Sequence, residues 1–214
     1  MAYSSYSKQT WADAPATSSP LSAARLGNIE SGLANLDANN NGAFCPADYG
    51  WLAWAYDPYI AYAAALLGTA GLNYLTLIPI RQACTITNIL CFVGTAGASL
   101  TSGQNLLGLF DNSGNLLSAT GDQTSAWGST GLKTAALSSS QAVSPGLYYA
   151  GFLWNGSTAP KFSYNAACAP GQGANSGPYP RSALDSTHTG RTTSFANPST
   201  ITAFTLAAFW AALS

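Results

Sequence analysis

Short apolar runs separated by turn residues fill the chain from residue 72 to its end, and this pattern leaves room for little except a β fold. The runs are rich in Leu, Ile, Val, Thr and aromatic residues; they cover 72–80, 84–94, 106–110, 116–120, 131–137, 147–154, 161–164 and 201–213. A hairpin loop is predicted at 111–115, and turns are predicted at 144–146 and 155–156. The pattern predicts a mainly β protein, an antiparallel β-sandwich of jelly-roll type over 72–214. The stretch 165–198, rich in Gly, Pro, Asn and Ser, is expected to be a long excursion.

A helix is predicted ahead of the β region, over about residues 20–37 of an N-terminal anchor that spans 1–42. Ser19 is a suitable N-cap, and Pro20 fits the first helical position. Apolar residues then recur at spacings of three, four and three, and form a seam: Leu26, Ile29, Leu33 and Leu36. Stop signals follow at 37–42. Two interpretations stay open, because the seam is short: it packs on its own domain, or it adds to an interface between copies of the chain.

Aromatic residues crowd the segment 43–71, which we interpret as a connection between the anchor and the sandwich. They are Phe44, Tyr49, Trp51, Trp54, Tyr56, Tyr59 and Tyr62. Such a run can stack on sugars, but it more often packs between subdomains, and the second interpretation is favoured. The stretch 60–80 carries no charge, yet Gly68, Gly71 and Pro79 interrupt it. We therefore expect core structure there and no membrane insertion.

The chain is poor in charge, and this excludes some classes of partner. Charged residues make up 7% of the sequence, against about a quarter in an average soluble protein. The seven Lys and Arg residues are scattered, whereas a nucleic-acid surface needs several cations on one face, so no nucleic-acid partner is predicted. His188 is the only histidine, which excludes a multi-histidine metal site. A surface of hydroxyl and amide groups suits a protein held in an assembly, a secreted protein or a sugar-facing protein.

The four cysteines form no C-x-x-C pair, which argues against a structural zinc site. Cys84 and Cys91 are an odd number of residues apart, so on one regular strand they would point to opposite faces. Buried free thiols are the favoured interpretation for the cysteines. Residues 1–8 contain no apolar core, so no secretory signal is expected.

A hydrolytic triad is not supported by the residue pattern. Asp185, Ser186 and His188 lie close together in the sequence, but residues this near rarely meet as a triad, and no G-x-S-x-G elbow accompanies them. No nucleotide-binding glycine loop is present. The sequence therefore predicts no catalytic residue and no cofactor.

Carboxylates could serve glycoside cleavage or calcium binding, and neither pattern is specific. Asp111 with Asp122, and Asp48 with Asp57, are candidate pairs without a local signature. Positions 111, 113, 115 and 122 are spaced as in a calcium loop, but Leu116 stands where that loop needs glycine. A hairpin turn is favoured, and no metal is predicted.

Two groups of segments carry a family resemblance. Near the N-terminus these are Gln9-Thr-Trp11, Ser19-Pro-Leu-Ser-Ala-Ala-Arg-Leu26 and Ile29-Glu30. They resemble the N-terminal element of tail fibre and minor tail proteins of phages that infect actinobacteria. The later segments are Trp51-Leu-Ala-Trp54-Ala-Tyr-Asp-Pro58, Ala83-Cys-Thr-Ile-Thr-Asn88, Leu100-Thr-Ser-Gly103, Gly108-Leu-Phe-Asp-Asn-Ser-Gly114, Thr120-Gly-Asp-Gln123 and Ser144-Pro-Gly-Leu-Tyr-Tyr-Ala150. Together they are similar to a β-sandwich module of virion fibre-like proteins.

The resemblance implies a structural role in a virion assembled in the host cytoplasm. It implies a homotrimer in contact with other tail or capsid proteins, and it supplies no catalytic residues. The first expectation is therefore a non-enzymatic, tail-associated fibre or minor tail protein that contributes to host-surface attachment. A capsid decoration or head-fibre protein and a cell-wall glycan hydrolase are the alternatives, with a secreted lectin-like protein as a further one.

Contact with a host-surface glycan would use aromatic faces in or beside loops. The candidates that the sequence offers are Trp127, Tyr148, Trp154 and Tyr179. For the trimer, the candidate interface is the seam of Leu26, Ile29, Leu33 and Leu36.

Overall fold

The fold is an antiparallel β-sandwich, as the run of short strands predicts. A computed structural model describes residues 26–31, 44–66, 68–166, 175, 177–203 and 207–214. The strands are β1 (Ala53–Trp54), β2 (Tyr62–Leu66), β3 (Tyr74–Ile80), β4 (Cys84–Thr95), β5 (Ala98–Leu100), β6 (Leu106–Asp111), β7 (Leu116–Ala119), β8 (Gly131–Val143), β9 (Gly146–Leu153), β10 (Gly156–Thr158), β11 (Lys161–Ala166), β12 (Ser182–Leu184), β13 (Thr202–Ala203), β14 (Ala207–Phe209) and β15 (Ala211–Leu213). The helices are α1 over 26–31, α2 (Thr124–Trp127) and two 3₁₀ turns, Pro46–Tyr49 and Pro58–Ile60.

Two sheets form the sandwich. The first sheet contains β1, β2, β4, β8, β11, β14 and β15, and the second runs β13-β12-β3-β9-β6-β7. A small ribbon pairs β5 with β10. The β8 side of the first sheet approaches the β7 edge of the second sheet. There Thr120 forms a β-bridge with Leu137, and the Ser139 N–H donates to the Ser118 hydroxyl at 3.2 Å. Polar side chains thus join the two sheets beside β7 and β8.

The main core lies between the two sheets, and a second core lies outside the second sheet. Along β9, Ala150 and Phe152 face the main core, whereas Tyr149 and Leu153 face the second core. The excursion supplies the cover for that outer face, because Phe195 is buried there edge-on to Phe110, with the ring centroids 5.2 Å apart. A sheet covered on both faces explains why β6 and β9 read as continuous apolar runs.

The sequence-based boundaries need four corrections. The segment 43–71 is part of the sandwich, because β1 pairs with β15 and β2 pairs with β11. The excursion contains β12, which pairs with β3. The closing run 201–213 holds three short strands, and β8 extends to residue 143 through a register shift against β4. Strand pairing, which supplies partners for backbone groups, overrode the local composition in each case.

The anchor helix is described only in part. Residues 26–31 are helical, and the remainder of the predicted 20–37 lies outside the described residues. Leu26 is half-buried and Ile29 is 55% exposed, while Leu33 and Leu36 also lie outside the described residues. The seam therefore stays a prediction. Among the described residues, no helix has both the length and the apolar character needed to cross a membrane.

Candidate functional site

A cavity of about 400 Å³ opens beside the aromatic segment, and we call it the aromatic cavity. Its walls come from the first 3₁₀ turn, β1, the end of β3 and the start of β4. The lining residues are Cys45, Pro46, Ala47, Trp51, Leu52, Ala53, Trp54, Pro79, Arg81, Gln82 and Cys84. A mostly apolar wall with a few polar groups is typical of small-molecule sites.

Local hydrogen bonds hold the first wall of the cavity in place. The Asp48 carboxylate accepts the Cys45 N–H at 2.8 Å, and Pro46 begins the 3₁₀ turn. Gly50 ends that turn with φ at 72°, a conformation that glycine adopts without strain. The Trp51 N–H then returns to the Pro46 carbonyl at 2.9 Å. The aromatic segment therefore starts from a closed turn.

Sheet pairing holds the rest of the aromatic segment. The Leu52 N–H donates to the Leu213 carbonyl at 2.7 Å, and the Ala55 N–H donates to the Ala211 carbonyl at 2.9 Å. These bonds flank β1, so Trp51 and Trp54 sit on a paired backbone. The part of the cavity wall that carries Trp51 and Trp54 is thus tied to the first sheet.

The aromatic rings form one connected cluster at the cavity. Tyr49 stacks on Trp51 with centroids 5.0 Å apart and planes 17° from parallel. Trp51 meets Trp54 edge-on at 6.2 Å, and Trp210 supports Trp51 from the core at 5.2 Å. Tyr49 is 46% exposed and both tryptophans are half-buried. Rings that are fixed on one side and open on the other offer a rigid apolar surface to a ligand.

The polar groups of the cavity are a cation, an amide and two thiols. Arg81 and Gln82 are exposed, and Cys45 and Cys84 are half-buried free cysteines. Burial raises the pKa of the Cys84 thiol. No carboxylate is among the described residues that line the cavity. The cavity can therefore stack a ligand on its tryptophan rings, donate hydrogen bonds from Gln82 and attract an anion with Arg81.

Two of the predicted glycan contacts are wrong. Trp127 is fully buried, and its ring meets Phe162 edge-on with centroids 4.9 Å apart. Trp154 is also buried, at the end of β9, and its carbonyl accepts the Gly71 N–H at 3.0 Å. Both rings fill the main core, so neither presents a face to a sugar.

The other two predicted contacts lie outside the aromatic cavity. The Tyr148 side chain is half-buried, and its hydroxyl donates to the Ser144 carbonyl at 3.0 Å. Tyr179 is 41% exposed and precedes β12. Neither lines the cavity, and the glycan role of both stays a prediction.

Asp185 and His188 form a pair that organises a turn. The buried Asp185 carboxylate lies 2.9 Å from His188 Nδ1 and accepts the backbone N–H groups of Thr187 and His188. Ser186 Oγ instead donates to Thr202 Oγ1 at 3.4 Å. The geometry therefore does not assemble the nucleophile, base and acid of a triad.

The remaining candidate carboxylates are engaged with their own turns. Asp111 Oδ1 accepts the N–H groups of Ser113 and Asn115, both at 2.9 Å, which confirms the predicted hairpin turn. Asp122 accepts the Thr124 hydroxyl at 2.8 Å, and Asp57 accepts the Tyr59 N–H at 2.8 Å. In the part of the chain that the structure describes, no three His, Cys, Asp or Glu residues group together as metal ligands.

Neither protein-family models nor curated proteins give a match to this chain. The cavity is therefore the feature of this protein that points to a function.

Sequence reasoning missed Arg81 and Gln82, and it favoured a packing role for Trp51 and Trp54. The signal that the sequence offered was the aromatic run, and Trp51 and Trp54 do pack against the main core. The sequence could not indicate that the turn after β3 comes to lie beside them, because this contact joins residues about thirty positions apart.

Proposed function

We propose that this chain is a non-enzymatic structural protein of a phage virion that binds a host-surface glycan in its aromatic cavity. The observation that carries the proposal is that Trp51 and Trp54 line the cavity together with the polar side chains of Arg81 and Gln82. Tyr49 stacks on Trp51 and supports that ring. A tail-associated fibre or minor tail protein is the form of this role that the resemblance to virion fibre-like proteins supports.

The chemistry of a pyranose ring matches the cavity. One face of the ring carries mainly C–H groups, which pack on an indole or phenol ring, while its hydroxyl groups need donors and acceptors at the rim. The half-buried tryptophans offer the first contact, and the exposed Gln82 amide offers the second. Because no carboxylate is among the described lining residues, binding is better supported than hydrolysis.

Calorimetry on a panel of host cell-wall saccharides tests the proposal. We expect Trp51→Ala to weaken binding about tenfold or more, because loss of a ring from a binding surface costs on the order of 2 kcal/mol. Tyr49→Ala is the second variant: Tyr49 does not line the cavity but stacks on Trp51, so its loss removes the support of that ring and, because Tyr49 is more exposed than Trp51, disturbs the core less. Tyr59→Ala is the matched control, because Tyr59 is 92% exposed and does not line the cavity.

The cavity thiols give a second readout in a Cys168→Ser background. A bound saccharide should slow alkylation of Cys45 and Cys84, which line the cavity. Cys91 is the internal control, since burial raises the pKa of its thiol to about 12. Unchanged alkylation at saturating saccharide, or weaker binding in Tyr179→Ala but not in Trp51→Ala, would place the glycan elsewhere.

The virion part of the proposal needs a separate experiment. Immunogold labelling of intact particles should mark the tail end. Label over the head would instead favour a capsid decoration or head-fibre protein, and sugar release from host walls by the purified protein would favour the hydrolase alternative.

A further inference from the structure

Arg81 differs from Lys133 and Arg191, two other described cations, in its surroundings. It directly follows β3, it is exposed at the rim of the aromatic cavity, and it makes no hydrogen bond or ion pair with any described residue. By contrast, Lys133 donates to Ser129 and Thr130, and Arg191 donates to Ser194 and Phe195. The guanidinium of Arg81 therefore keeps all its donors available to a ligand.

The position of Arg81 favours an anion over a neutral group. A guanidinium presents paired N–H donors that match two oxygens of a carboxylate or phosphate. No Asp or Glu among the described lining residues competes for the guanidinium.

The geometry points to an anionic saccharide as the ligand of the aromatic cavity. Its sugar ring packs in the corner between Trp51 and Trp54, whose planes stand 71° apart, and its carboxylate or phosphate group binds Arg81. This inference rests on the proposed function, since it names the class of glycan that the same cavity takes.

Matched probes test the inference by calorimetry. The first pair is a glucuronate-containing tetrasaccharide and its methyl ester, and the second is a phosphorylated oligomannose and its dephosphorylated form. We expect the wild-type chain to bind the anionic member of at least one pair about tenfold more tightly, as a charge-assisted hydrogen bond allows. The pair that shows the preference identifies the anionic group.

Arg81→Gln is the decisive variant. The ratio of the two affinities within the preferred pair should fall close to one, and added salt should reduce that ratio in the wild type. Lys161→Gln is the matched control, because it also removes one positive charge. Lys161 pairs with Thr95 at the end of β4 opposite to Cys84, so it lies far from the cavity. The ratio of the two affinities in Lys161→Gln should equal that of the wild type.

The outcomes separate this inference from the proposed function. Equal binding of charged and neutral probes, with both weakened by Trp51→Ala or Tyr49→Ala, overturns the anionic inference and leaves the glycan site standing. A preference for the anion that survives in Arg81→Gln also overturns it. If none of the four probes binds, the inference and the glycan-binding proposal both fail.

Discussion

Individual aspartates in this protein act mainly as acceptors for nearby backbone N–H groups. Asp48 and Asp57 hold the two 3₁₀ turns of the aromatic segment, and Asp185 holds the turn that ends at His188. Asp111 does the same for the β6–β7 hairpin. These described aspartates thus hold local turns, which explains why the candidate carboxylate pairs form no site.

Asp111 makes the acid stability of the hairpin testable. Burial raises the pKa of Asp111, but donors from Asn115, Ser113 and Gly114 outweigh it and hold the pKa below the ordinary value of 3.8. A lowered folded-state pKa stabilises the fold above the ordinary value, and this stabilisation is lost as the pH falls through the folded-state pKa. Asp111→Asn should therefore lose less stability than the wild type below about pH 4.

Urea unfolding at a series of acidic pH values measures this difference. The two proteins should differ most near neutral pH and converge as the carboxyl group becomes protonated. If the free energies of unfolding of the two proteins differed by the same amount at every pH, Asp111 would have the same pKa in the folded and unfolded chains.

At the scale of elements, the loop between β12 and β13, residues 185–201, forms an outer layer on the second sheet and is tied to the β6–β7 hairpin. The Ser199 N–H donates to the Gly114 carbonyl at 2.8 Å, and the Leu116 N–H donates to the Asn197 side chain at 3.0 Å. Phe195 then enters the second core. The hairpin tip is thus a docking point for the layer that buries the outer face of the second sheet.

Gly114→Ala should break this docking point, and Gly103→Ala is its matched control. Both glycines have positive φ, 87° and 79°, so each substitution carries a strain of about 1–2 kcal/mol. A Cβ at position 114 would also collide with the Ser199 carbonyl, whereas position 103 has open space around it. We expect Gly114→Ala to lower the free energy of unfolding by about 1–3 kcal/mol more than Gly103→Ala.

Guanidinium unfolding of the two variants compares these free energies directly. Hydrogen exchange should also rise at residues 195–199 in Gly114→Ala and not in Gly103→Ala. Equal losses in both variants would show that the contact between Gly114 and Ser199 contributes nothing to stability.

At the scale of the whole molecule, the chain is a two-sheet sandwich with an added outer layer and an anchor helix ahead of it. The exposed Ile29 side chain in α1 agrees with a seam that another copy covers, and the trimer stays a prediction. Sedimentation equilibrium of the full chain should give three times 22.0 kDa. Ile29→Asp should reduce this mass, because a charge in an apolar interface is costly.

Asn28→Asp is the control for that experiment, since Asn28 is exposed on the same helix and lies off the seam. A wild-type mass of one chain would refute the trimer. A trimer mass in Ile29→Asp would move the interface away from the seam.

Features that depend on neighbours along the chain were predictable from the sequence. The alternation of apolar and turn residues predicts the sandwich, and Asp111, Ser113 and Gly114 predict the hairpin, because turn chemistry acts over a few residues. The low content of charged residues can also be read directly from the sequence.

Only the tertiary structure decided which side chains are exposed and which residues far apart in the sequence come into contact. The sequence favoured packing for Trp51 and exposure for Trp127, yet Trp127 fills the core and Trp51 lines a cavity. Which ring is covered depends on the strands that close over it, and these pairings join residues as distant as Ala53 and Leu213. The same holds for Arg81, whose place beside the aromatic rings arises where β1 and the end of β3 meet. Local sequence thus determined most strands and the β6–β7 turn, whereas long-range pairing decided β1, β2 and β12, and long-range packing determined the site.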